Sequence, residues 1–227
     1  MNFTDRTMLG TMLASKLQQF RGKDAIILCL QESSLLTCLT MASELRAWVY
    51  PLIYVPVYTP DHSHRLLGAF DPDGEFCPLR TDPASALEVS PKNTDVLKDT
   101  LKGVLKSKRK GAMKSIDTMT ASYGMKLDKH HLDGRDVILA ADVIISPLPL
   151  LVAQQFLKSV APKSLTAVAG NATPETAQLL RISASKTEIL DILSGIVSDE
   201  NHYFNHISTH TSEQRHELTQ RIAAYWQ

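Results

Sequence analysis

Two short stretches of this chain carry side chains that could do chemistry where a buried strand gives way to a helix. In Asp136-Val137-Ile138-Leu139-Ala140-Ala141-Asp142-Val143-Ile144-Ile145-Ser146-Pro147-Leu148-Pro149, one carboxylate and one hydroxyl follow an apolar run. Val137 to Leu139 are residues that a parallel strand covered on both faces requires. Ser146 followed by Pro147 is a helix-start signal, with a side-chain oxygen for the cap and a proline whose missing N–H costs nothing there. Asp142 has two readings: a ligand carboxylate at the strand exit, or a helix-entry residue accepting local N–H bonds. The second stretch is Gln31-Glu32-Ser33-Ser34, directly after the short apolar run Ala25 to Leu30.

These stretches are positioned by an alternation of strands and helices. Thr4 to Phe20 has Met8, Leu9, Met12, Leu13 and Leu17 at helical spacing, with Thr4 as its expected cap. Ala25 to Leu30 predicts a strand, Leu35 to Leu45 a helix and Trp48 to Val57 a second strand, with Pro51 and Pro56 excluding a fully paired central position. After the central strand, Leu150 to Val160 continues as a helix and Ser164 to Ala169 is another buried strand. Gly170 to Pro174 forms its exit loop, Asn171 or Thr173 starts a helix from Pro174 to Leu180, and Thr187 to Leu193 is a last strand. The expected fold class is α/β: a doubly wound, mainly parallel sheet flanked by helices, in one domain over 1–227. Ligands in such sheets sit at the carboxyl ends of the strands. Gln31, Glu32, Ser33, Ser34, Ala141, Asp142, Ser146, Asn171 and Thr173 are therefore expected around one crevice.

The segment from Asp136 to Pro149 resembles the signature of the type I phosphoribosyltransferases, in which a hydrophobic strand ends in two acidic residues and a Gly/Thr loop opens a helix. Asp5-Arg6, Leu9-Gly10 and Leu13-Ala14 resemble the opening of bacterial proteins of that kind. Leu67 to Phe76 resembles the hairpin after their second strand, and Asp73-Gly74 is a hairpin turn by its own chemistry. The resemblance implies a site for phosphoribosyl pyrophosphate or a nucleotide-like ligand. Carboxylates would take the ribose hydroxyls, backbone amides the 5′-phosphate, and Mg²⁺ would bridge pyrophosphate and ribose if the protein is active. It also implies a homodimer.

The departures from that pattern are concentrated in the loops. Ala141 stands at the first acidic position, Val143 and Pro147 at glycine positions, and Pro149 at the last threonine position. Pro147 and Pro149 delete two N–H donors from the helix start. Gln31-Glu32-Ser33-Ser34 stands where similar proteins carry Pro-Arg-Gly-Gly, so Glu32 would place a negative charge beside a pyrophosphate. The expectation is a noncatalytic or catalytically altered protein acting in ligand binding, partner binding or regulation. The alternative is an active transferase in which Asp142 and Ser146 hold the ribose phosphate, with Mg²⁺ reached through substrate and water.

The region 82–131 is a helical insertion. Within it Lys98, Lys102, Lys106 and Lys110 fall at four-residue steps, with Lys108, Arg109 and Lys114 nearby. These residues read either as an anion-binding ridge for RNA or an acidic partner, or as a solvated helix face. Asp95 and Asp99 at helical spacing to the lysines and the lack of interleaved aromatics favour the latter, so nucleic acid is a possible but not a favoured partner. In the C-terminal extension, 199–227, His202, His206 and His210 would share a face at metal-ligand spacing if helical. Ile207-Ser208-Thr209 reads instead as a loop, ahead of a helix from Ser212 to Trp226. Tyr203, Phe204, Tyr225 and Trp226 then read as packing or dimer-contact residues, and no metal site is assigned.

Composition bounds the rest. The 227 residues carry 24 Lys+Arg against 24 Asp+Glu, so no global field argues for nucleic acid or membrane. Cys29, Cys38 and Cys77 have no metal-ligand spacing and read as reduced thiols in a cytoplasmic protein. No apolar run is long enough to span a bilayer.

Overall fold

A computed structural model of the chain describes residues 3–59, 65–79, 94–124 and 127–193, together with 203, 204, 217 and 220. Five strands form the main sheet: β1 (Ile26–Cys29), β2 (Trp48–Pro51), β6 (Asp136–Ile144), β7 (Ser164–Ala172) and β8 (Lys186–Ile192). Their order is β2-β1-β6-β7-β8 and every neighbouring pair is parallel. The chain thus winds outward in both directions from the β1/β6 boundary, which places the topological switch point there.

Helices cover both faces. On one lie α1 (Arg6–Lys16) and α2 (Leu35–Leu45), whose Leu9, Leu13, Cys38 and Met41 pack with Ile27, Cys29, Ile138 and Ala140. On the other lie α4 (Leu148–Leu157) and α5 (Pro174–Ser183), whose Leu150, Ala153, Phe156 and Leu180 pack with Ile26, Leu28, Val137 and Leu139. Consecutive strand residues serve opposite cores, as the period of two demands. All nine residues of β6 are buried, which fits the apolar run Val137 to Ala141 and leaves Asp136 and Asp142 as buried carboxylates.

A second, antiparallel sheet stands apart: β3 (Val55–Tyr58), β4 (Leu66–Phe70) and β5 (Phe76–Pro78), in that order. Over it lies α3 (Thr94–Ser122), a helix of 29 residues and so about 43 Å long. Ala112 packs with Val57, Leu67 and Phe70, and Ile116 reaches the main core.

The structure corrects several boundaries. Trp48 to Val57 is two strands in two sheets, because Pro51 and Pro56 each withhold a ladder donor; β2 and β3 are both edge strands. The first helix is capped by Asp5, whose Oδ1 accepts the Met8 N–H at 2.8 Å, rather than by Thr4. It ends at Lys16, ahead of a 3₁₀ turn, Gln18–Phe20. The hairpin after β4 turns through a five-residue loop in which Asp71 Oδ1 accepts the Asp73 and Glu75 N–H groups, with Gly74 at φ +75°. β6 continues through Ala141 and Asp142 to Ile144 and β7 through Asn171 to Ala172, so those residues are strand and not loop. The helix after β6 runs from Leu148 to Leu157 with Pro147 in the cap position, one residue later than the Ser146–Pro147 start signal and three residues short of Val160. The helix and histidine readings beyond Ser194 fall largely outside the described residues, His202, His206 and His210 included.

Candidate functional site

At the switch point the loop after β1 folds back on β6. Leu30 donates its N–H to the Ala140 carbonyl at 2.9 Å, continuing the ladder by one residue. Gln31 is extended and Glu32–Ser34 forms a 3₁₀ turn, closed by the Ser34 N–H on the Gln31 carbonyl at 3.1 Å. Ser34 is wholly buried, and its Oγ accepts the Asp142 backbone N–H at 2.9 Å. One of the candidate loop residues therefore stitches the loop to the sheet.

Asp142 follows Ile138 and Ala140 at steps of two, so its side chain turns toward α1 and α2. There Arg6 meets it, with Nε 2.6 Å from Oδ2 and relative exposures of 2% and 1% for the two side chains. Arg6 is held in turn. Its carbonyl accepts the Thr37 hydroxyl at 3.1 Å, and its guanidinium carbon lies 4.5 Å from the Phe204 ring centroid. Phe204 forms a parallel bridge with Phe3, whose N–H donates to the Tyr203 carbonyl at 2.8 Å. The N-terminal helix, the central strand and the C-terminal aromatic pair thus converge on one buried cation. A guanidinium facing a carboxylate inside a core is an electrostatic lock: removing either partner leaves the other charge buried and uncompensated.

The same environment quiets the nearby thiol. Burial first, then the Cys29 thiol, then the Asp142 carboxylate push the Cys38 thiol well above its ordinary value. Cys38 remains a neutral, inert side chain across ordinary pH.

The other candidates at the strand exits have structural employment. Ala141 belongs to the core under α4 and α5. Asn171 is fully buried in β7, paired in register with Val143. Ser146 Oγ accepts the Leu148 N–H at 3.3 Å at the start of α4. Thr173 caps α5 by accepting the Thr176 N–H at 3.2 Å, and Thr176 Oγ1 donates to the Ile144 carbonyl at 2.7 Å, tying α5 to the end of β6.

Three of the nine candidates, Gln31, Glu32 and Ser33, line a surface cleft of ≈ 320 Å³. Its other walls are Pro51 to Tyr54 and Pro56, from the end of β2, the connection and the start of β3, with Met119 from α3 and Tyr123 just after it. The walls are mostly apolar. Glu32 is exposed, and among the described lining residues there is no Lys, Arg or His. Such a cleft accommodates a neutral or cationic group with apolar surface and disfavours a pyrophosphate. Lys102, Lys106 and Lys110 are exposed on α3 and do not line it, while of Lys98 only the backbone is described, within α3. Among the described residues no group of His, Cys, Asp or Glu is arranged to hold a metal, and no helix is long and apolar enough to cross a membrane.

Sequence reasoning overlooked Arg6 as a site residue. The signal was present: Arg6 precedes Leu9, Gly10 and Leu13 on the stripe that α1 buries, and a cation on a buried stripe requires a partner inside. Met119 and Tyr123 had no local signal, since a helix face alone does not say which cleft it borders.

Comparison with protein-family models and with curated proteins finds no match. Among solved structures, TT1426 from Thermus thermophilus superposes with a TM-score of 0.71 at 18% identity, over 96% of this chain and 98% of that one. A hypoxanthine-guanine phosphoribosyltransferase from Bacillus anthracis matches at TM-score 0.44 and 11% identity, over 91% of this chain and 93% of its own. A hypothetical protein from Neisseria gonorrhoeae with bound ppGpp matches at 0.46 and 10%, over 100% and 96%. With its parallel sheet wound outward from the β1/β6 boundary between two helical layers, the chain has a doubly wound α/β fold, shared with TT1426.

Proposed function

We propose that this protein is a noncatalytic or catalytically altered phosphoribosyltransferase-fold protein, in which the crevice for phosphoribosyl pyrophosphate has become part of the core and binding has moved to the neighbouring cleft. One observation carries the reading: the acidic side chain remaining at the end of the central strand, Asp142, is 1% exposed and ion-paired to Arg6 at 2.6 Å. A carboxylate so engaged does not fit the handling of ribose hydroxyls or of a substrate-borne Mg²⁺, and no catalytic step is assigned through that ion. Two further features point the same way. Glu32 brings the wrong charge to the first loop, and Pro147 and Pro149 remove N–H donors from the start of α4. Gln31, Glu32 and Ser33 are the residues assigned to ligand contact, in a homodimer located in the cytoplasm.

Calorimetric titration of phosphoribosyl pyrophosphate with Mg²⁺ tests this. No heat at millimolar ligand is expected. Micromolar binding would overturn the reading and restore the active transferase, with Asp142 and Ser146 at the ribose phosphate. Light scattering checks the dimer.

A further inference from the structure

α3 carries an uneven share of the chain's charge. Between Lys102 and Ile116 it holds six cations and no carboxylate, in a protein whose formal net charge is zero. Lys108 and Arg109 are used locally, Lys108 Nζ on the Tyr58 carbonyl at 3.1 Å and Arg109 on Glu75 at 2.7 Å. Lys102, Lys106, Lys110 and Lys114 form a row at four-residue steps, each about 6 Å further along the axis and turned by about 40°. All four are exposed; the acidic residues of the helix flank the row, Asp95 and Asp99 ahead of Lys102 and the exposed Asp117 beyond Lys114.

A second row, Gly103, Ser107, Gly111 and Ser115, runs beside the lysines at the same steps. A Cβ at Gly103 or Gly111 would meet nothing within 4 Å, so no packing contact requires either glycine. Each still costs the helix about 1 kcal/mol relative to alanine. The result is a cationic face with low relief, on a helix whose opposite side is seated through Ala112 and Ile116.

We propose that this face of α3 docks the phosphate backbone of duplex nucleic acid without reading its sequence. Evenly spaced point charges in a row complement a polymer that carries a charge at regular intervals. The exposed face offers no aromatic ring for unpaired bases and no Asn or Gln for base edges, so contacts fall on phosphates. An amphipathic helix that enters a bilayer needs its apolar side free, and here that side is packed. The surface is separate from the switch-point crevice, and its use does not depend on the fate of phosphoribosyl pyrophosphate there.

The test is fluorescence anisotropy of a labelled duplex two helical turns long, titrated with the full chain across a salt series. Binding should weaken with a log–log salt slope of about −3, for three to four phosphate contacts. The Lys106→Glu/Lys110→Glu/Lys114→Glu variant should lose more than about tenfold in affinity at low salt. The Lys16→Glu/Arg21→Glu/Lys23→Glu variant makes the same change of net charge at exposed positions elsewhere and should bind as the parent does. The proposal is overturned by no binding at low salt, by a salt-independent affinity or by equal loss in both variants. Binding of anionic vesicles or polyglutamate as tight as that of the duplex overturns it too.

Discussion

Two regions at the carboxyl edge of the main sheet hold their polar side chains in opposite ways. At the β1/β6 boundary the residues are locked: Ser34 holds the Asp142 amide, Arg6 holds its carboxylate, and Phe204 covers Arg6. A few residues away, Gln31, Glu32 and Ser33 face a cleft completed by α3. Charge accounts for much of the difference. Where a carboxylate lies in the interior, as Asp142 does, it requires an internal cation, and Arg6 supplies it. Where Glu32 stayed in solvent it required nothing, and the cleft stayed accessible.

The comparison is broken most easily at its strongest point. Arg6→Met or Asp142→Ala should each destabilise the protein by about 3–5 kcal/mol, because each strands a buried charge. The double variant Arg6→Met/Asp142→Leu should recover most of that loss. Urea denaturation of the three variants measures it, and single variants costing under about 1 kcal/mol would mean the pair is solvated and the crevice open. Gly10→Ala should cost about 1–3 kcal/mol, since the added Cβ would lie 2.6 Å from Thr40 Cβ and 2.7 Å from the Thr37 carbonyl. That pushes α1, and Arg6 with it, away from α2. Thr173→Ala, which removes the cap of α5, should cost about 1 kcal/mol. Glu32→Ala on the cleft side should fall within about 0.5 kcal/mol of the parent in the same assay, and a larger loss would show that this loop is also fastened.

A pH series supplies a finer check away from the crevice. Burial, then Asp71, push the Cys77 thiol from its ordinary value of 9.0 up to about 11. The folded protein therefore retains that proton when the unfolded chain releases it. The thiol's contribution is complete below about pH 9 and is lost as the pH rises toward 11. Cys77→Ala should flatten the fall of stability in that window. An unchanged slope would mean the thiol is not screened from water.

Much of this was legible in the chain. Val137 to Leu139 announced a strand covered on both sides, though not that it would run on through Ala141 and Asp142 to Ile144. The alternation of strands and helices specified the doubly wound sheet, and Leu35 to Leu45 formed its helix with the expected bounds. Pro51 and Pro56 announced edge positions, though not that the segment would split between sheets. At the loops residue type supplies an expectation that the titration tests: Glu32, Pro147 and Pro149 disfavour an anion cradle.

Only the tertiary structure decided what Asp142 does. A carboxylate at a strand end looks the same in sequence whether it faces solvent or a guanidinium 136 positions away, since sequence separation says nothing about contact. The same holds for the cleft. Its walls come from the loop after β1, the β2–β3 connection and α3, and they meet only when α3 packs across the second sheet. Local propensity and period specified the elements; the pairing of buried charge and the juxtaposition of distant surfaces arose from packing.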